Sequence, residues 1–135
     1  MRWFLAFIAG FFAVLCFHQP ALGLLHSAGV VPFAPFSLAP TRPFGVPSVF
    51  SGAFFGGLWA LALVLFLDRT GRGWVWLKAA LFGGIALTVV ALLIVFPLKG
   101  IGLELDKLPA RFIIGFILNA CWGVGTIVFL RAFGR

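Results

Sequence analysis

The run WVWLKAALFGGIALTVVALLIVF, residues 74–96, carries one charged side chain, Lys78, in twenty-three positions. At 1.5 Å per residue a helix of this length covers about 34 Å, enough to cross a hydrocarbon layer about 30 Å thick. Working outward, Pro47 to Leu67 and Pro109 to Leu130 are apolar runs of the same kind. Pro47 and Pro109 suit a first helical turn, where a missing N–H costs nothing. Pro97 and Gly100 close the central run. A fourth span, 3–28, is interrupted by His18-Gln19-Pro20, and Pro20 predicts a kink because it removes a backbone donor. The expected spans are therefore 3–28, 47–67, 74–96 and 109–130 in a single all-α, membrane-embedded four-helix bundle covering residues 1–135.

Composition points the same way. With 63% hydrophobic and 10% charged residues and a mean hydropathy of +1.19, the chain has too little polar surface to clothe a water-soluble globule. The net charge of +7 does not indicate nucleic acid, because the basic residues stand singly at the ends of apolar runs rather than on one face. Cys16 and Cys121 lie inside apolar runs with no metal or redox spacing. Arg2, a 15-residue apolar stretch and Ala21-Leu22-Gly23 also fit a signal peptide cleaved after residue 23, although apolar character continues beyond it. Cleavage would leave three spans with the same orientation.

Basic residues flanking the spans set the expected sidedness. With the N-terminus inside, Arg2, Arg69, Arg72, Lys78, Arg131 and Arg135 are cytoplasmic, and Arg42, Lys99, Lys107 and Arg111 are outside. That bias favours both termini in the cytoplasm. The short polar turn Asp68–Gly73 makes the second and third helices antiparallel neighbours. Residues 30–46 cannot be helical, with prolines at 32, 35, 40 and 43 among phenylalanines, and are expected to lie extended over the outer face.

Helices in lipid associate through small residues that let backbones approach. The candidate packing positions are Gly10, Gly52, Gly56, Gly84, Gly115 and Gly123. A shift of 63 residues sets Gly52 on Gly115 and Trp59 on Trp122; a shift of 73 sets Trp3, Ala6, Gly10 and Ala13 on Trp76, Ala79, Gly83 and Ala86. The offsets predict a duplicated pair of parallel helical hairpins.

Polar residues inside a span are costly and mark candidate sites. His18, Gln19, Ser51, Thr88 and Asn119 are expected at similar depth in the outer half, forming one polar patch with His18 as its proton-responsive member. The same residues can equally serve as inter-helix hydrogen bonds. His26, Arg42 and Lys99 are candidate outer contacts for a lipid head group. Asp68, Glu104 and Asp106 all fall in loops, so there is no intramembrane carboxylate, no triad and no phosphate or dinucleotide loop. No catalytic residue, metal site or cofactor is expected.

The run Pro32-Phe33-Ala34-Pro35-Phe36-Ser37, then Pro43-Phe44-Gly45-Val46-Pro47, resembles a family of small, uncharacterised four-span inner-membrane proteins of bacteria. Gly56-Gly57-Leu58-Trp59, Pro97-Leu98-Lys99-Gly100 and the Trp-Gly-x-Gly-Thr core at 122–126 extend the likeness. The resemblance implies a bacterial cytoplasmic membrane and carries over no activity. Three functions fit: an accessory or structural subunit, or self-associating bundle, working with a membrane-protein partner or further copies of itself; a small homo-oligomeric channel or transporter using His18 and Asn119; and a lipid-binding or lipid-modifying protein. The bilayer is the partner common to all three.

Overall fold

The computed structural model describes residues 1–134. Four helices are long and apolar enough to cross a membrane: α1, Arg2–Ser27; α2, Ser48–Thr70; α3, Val75–Leu98; and α4, Leu108–Phe133. Arg135, counted in the inner basic set, lies outside the described residues.

The helix ends follow from local chemistry. Both α1 and α3 close in the same six-residue motif around a left-handed glycine. Gly29, at φ 73°, donates its N–H to His26 O, and Val30 donates to Leu25 O. Gly100, at φ 76°, donates to Pro97 O, and Ile101 to Phe96 O. Gly71, at φ 80°, ends α2, and Pro109 starts α4 in its first turn.

The expected interruption of α1 at Pro20 takes another form. Val14–His18 is a π-helical turn, in which Gln19 N–H reaches back five residues to Val14 O. Pro20 then opens the next α-helical stretch, where it needs no donor. Two further π turns, Phe82–Leu87 and Ala91–Val95, lie in α3.

Glycines set how closely the helices approach. A methyl group at Gly10 would overlap Ala60 Cβ and the Gly56 carbonyl, so α1 and α2 meet backbone to backbone. Likewise one at Gly83 would overlap the Asn119 carbonyl, and one at Gly123 the Ala79 carbonyl, joining α3 to α4. The offsets of 73 and 63 residues carry Gly10 to Gly83 and Gly56 to Asn119, so the two seams are equivalent contacts in the two hairpins. At Gly84 and Gly115 an added methyl would press on Phe116 and Thr88, which also belong to the α3–α4 interface.

The hairpins differ in how they meet each other. Between α1 and α4, the Trp122 indole is buried and Nε1 donates to Gly10 O at 3.1 Å, while Phe17 fills the space beside Gly125. Between α2 and α3, close approach lies mainly along Val75–Leu87 of α3. There Phe82 stacks on Phe66 with ring centres 5.2 Å apart and meets Trp59 edge-on at 6.1 Å. Lys78 Nζ also donates to Thr70 O and Gly71 O across the 71–74 turn. The antiparallel neighbours expected from that turn therefore meet at one end and diverge toward the other.

Gly52 departs from its expected packing role. A Cβ there would meet nothing within 4 Å, because α2 and α3 have diverged at that height. Replacing Gly56 with Leu should lower resistance to thermal or SDS unfolding by about 3 kcal/mol, since backbone cannot yield to the new side chain. Gly52→Leu should leave stability within about 0.5 kcal/mol of the parent.

Candidate functional site

The divergence of α2 and α3 leaves a cleft of about 180 Å³ in the half of the bundle nearest the 28–47 loop. Gly52, Phe55 and Trp59 of α2 form one wall, and Leu87, Val90, Ala91 and Val95 of α3 form the other. Its floor belongs to the central pair: Val14, His18 and Gln19 from α1, with Asn119 and Trp122 from α4. The π turns of α1 and α3 coincide with this lining, since Val14–His18 brings His18 to the floor and Ala91–Val95 supplies wall residues. An extra residue in a turn rotates every following side chain, and such turns recur at functional sites.

Three of the five patch residues thus line one cleft. Asn119 Nδ2 donates to Thr88 Oγ1 at 3.0 Å, and Thr88 itself is fully buried behind it. Thr88 therefore positions the amide without facing the cleft. Gln19 Oε1 accepts the Phe36 N–H at 2.7 Å. His18 Nδ1 is buried and has no hydrogen-bond partner among the described residues. An unpaired buried polar atom costs about 1–3 kcal/mol, so this nitrogen is the least satisfied group of the site.

Ser51 does not join them. It lines neither this cleft nor its neighbour, because one residue along a helix is a turn of about 100° and Gly52 takes the facing position. Ser48 instead contributes to a second cavity, of about 380 Å³, that lies under the loop between Gln19, Leu22, Phe33, Ser37 and Val49. Gln19 borders both cavities, so the Gln19–Phe36 hydrogen bond stands at their junction. Phe36 is held at φ 53°, a left-handed conformation uncommon for a bulky residue. Further bonds tie the loop to the start of α2, from Ser48 N–H to Ala39 O and from Val49 N–H to Ser37 O.

The expected head-group contacts are not gathered by any hydrogen bond or ion pair among the described residues. His26 Nδ1 donates to Val31 O at 3.1 Å and so fastens the loop to the end of α1. Arg42 and Lys99 are exposed on separate loops. The ion pairs at that end are instead Lys107–Glu104 at 2.7 Å and Arg111–Glu104 at 2.9 Å. At the other end Arg2 pairs with Asp68, and Arg131 lies over the Trp76 ring, 4.7 Å from its centre.

Two features of the site escape a reading of composition. Trp122 acts through a hydrogen bond to an opposing backbone carbonyl, and Gly83 takes the close approach expected of Gly84's stripe. The shift of 73 residues that pairs Gly83 with Gly10 was the available signal. Cys16 and Cys121 are free thiols, and no three potential metal ligands come together among the described residues. No family model matches this chain, and no match was found among curated proteins or solved structures.

Removing the Asn119 amide as Asn119→Leu should cost about 0.6 kcal/mol of stability, the usual worth of such a bond in a membrane interior. Thr88→Val in the same background should cost almost nothing further, as a double-mutant cycle of unfolding would register.

Outside the spans, the hydrogen bond from Lys107, with the charges of Lys107 and Arg111, holds the Glu104 carboxyl below the ordinary glutamate range. A depressed folded-state value contributes stability above the unfolded pKa, lost as pH falls through the folded one. An NMR titration of Glu104 should therefore show a midpoint below that of a free glutamate, rising toward it in Lys107→Ala.

Proposed function

We propose that this chain is a non-enzymatic membrane protein that works by binding, with the cleft between α2 and α3 as its binding site. The observation that carries the reading is the meeting of His18, Gln19 and Asn119 in one apolar-walled cleft, with His18 Nδ1 left unpaired. Concave, mostly apolar sites with a few convergent polar groups are the usual form of small-molecule sites.

Self-association through the small-residue stripes has less support. Gly10, Gly56, Gly84, Gly115 and Gly123 are all occupied by contacts within the chain. A conducting pore through one copy is disfavoured too, because Trp122, Val14 and the Gly10–Gly56 seam close the bundle beyond the cleft. An accessory role in a larger assembly is compatible with a binding protein of this size. Its setting in this proposal is the bacterial cytoplasmic membrane with both termini inside, following the charge bias and the family resemblance.

Native mass spectrometry of the full chain in mild detergent tests the reading. The expected result is a retained small-molecule adduct that Gly52→Leu, which fills the cleft without touching the seams, reduces several-fold. Absence of any adduct, or equal occupancy in the parent and Gly52→Leu, would contradict it.

A further inference from the structure

The polar groups around the cleft are donor-rich. Gln19 Oε1 is engaged by Phe36 N–H, so its free hydrogen-bonding capacity lies mainly in the two Nε2 hydrogens. Asn119 uses one Nδ2 hydrogen on Thr88 Oγ1 and keeps the second, together with Oδ1. At His18 the Nδ1 atom is shut away from the cleft, so a neutral imidazole offers an occupant Nε2, which donates when it carries the proton. The free donors, two on Gln19, one on Asn119 and one on His18 Nε2, suit an occupant that brings acceptors.

Charge narrows the class further. No Asp, Glu, Lys or Arg lines the cleft. A charged head placed there would be stripped of water with nothing to neutralise it. At about 180 Å³ the cleft holds the equivalent of about six waters at about 30 Å³ each. That is room for a ring or a glycerol ester, not for whole acyl chains. The tail would remain between the diverging helices, beside Phe55 and Val95.

We propose that the cleft takes a neutral, membrane-dissolved molecule with a carbonyl-bearing head, its oxygen accepting hydrogen bonds from His18, Gln19 and Asn119. This rests on the cleft being the binding site. Two sources supply that chemistry, a quinone ring and the ester of an uncharged glycerolipid. The Gln19–Phe36 bond orients the Gln19 amide before the occupant arrives, so the loop presets one of the three contacts.

Titration of the full chain in lipid nanodiscs, followed by tryptophan emission, reads the site directly because Trp59 and Trp122 line it. The probes are decylubiquinone, 1,2-dioctanoylglycerol and, as the charged counterpart, dioctanoyl phosphatidic acid. Saturable binding of either neutral probe, weakened about tenfold by His18→Phe and by Asn119→Leu, is the expected result, a tenfold change being the worth of one ordinary hydrogen bond. Which neutral probe binds identifies the source. The two substitutions lie on different helices, so misfolding of one variant, seen by gel filtration, leaves the other to decide. Preferential binding of phosphatidic acid, neutral binding indifferent to both substitutions, or no binding by any probe overturns this ligand class. In each of those cases an adduct lost in Gly52→Leu still upholds the cleft, whereas its absence removes both readings.

Discussion

The hydrogen bond from Trp122 Nε1 to Gly10 O ties α4 to α1 at the point where α1 and α2 meet backbone to backbone, and a side chain at Gly56 would crowd both the indole nitrogen and that carbonyl. In lipid no hydrophobic force drives one apolar helix onto another, so close backbone approach and buried hydrogen bonds must supply the association. Gly10 serves both needs at once. It lets α2 approach, since any side chain there would overlap Gly56 and Ala60, and its carbonyl accepts the indole N–H of α4. The central α1–α4 pair is thereby fixed, and α2 and α3 are each held by one strong seam to a member of that pair.

The near-equivalence of the two hairpins makes the exception informative. Gly10 against Gly56 and Gly83 against Asn119 are the same contact under the offsets seen in the sequence. Under the same correspondence the α1–α4 interface should have a counterpart between α3 and α2. There Trp59, the counterpart of Trp122, meets Phe82 instead of inserting, and the outer half stays open. The cleft is the unfilled member of a repeated pair. Polar residues collect at that place, and two of the helices that border it carry π turns.

Much of this architecture was legible beforehand because hydrocarbon thickness imposes a length and a composition that sequence displays openly. Residues 74–96 are long and apolar enough to cross a membrane, which is legible without any knowledge of neighbours. Depth along a helix was legible for the same reason, which is why His18, Gln19 and Asn119 could be placed at one level. Rotation about the helix axis was not. Ser51 and Gly52 share a depth, yet about 100° separates them, and only packing decides which faces inward. The π turn at Val14–His18 has no compositional mark, and it redirects the His18 face. The stripe containing Gly52 could not disclose that its neighbour diverges, because small residues read alike whether they meet a helix or border a gap.

The splay of α2 from α3 is the claim from which the cleft and its occupant both follow. Disulfide cross-linking in native membranes tests it most directly, with Cys16 and Cys121 replaced by Ala and cysteine pairs introduced at two heights. Phe66→Cys with Phe82→Cys should cross-link readily under mild oxidation, and Gly52→Cys with Ala91→Cys should remain reduced. Equal or faster cross-linking of the 52/91 pair would mean that the two helices close along their whole length, and the account would fail.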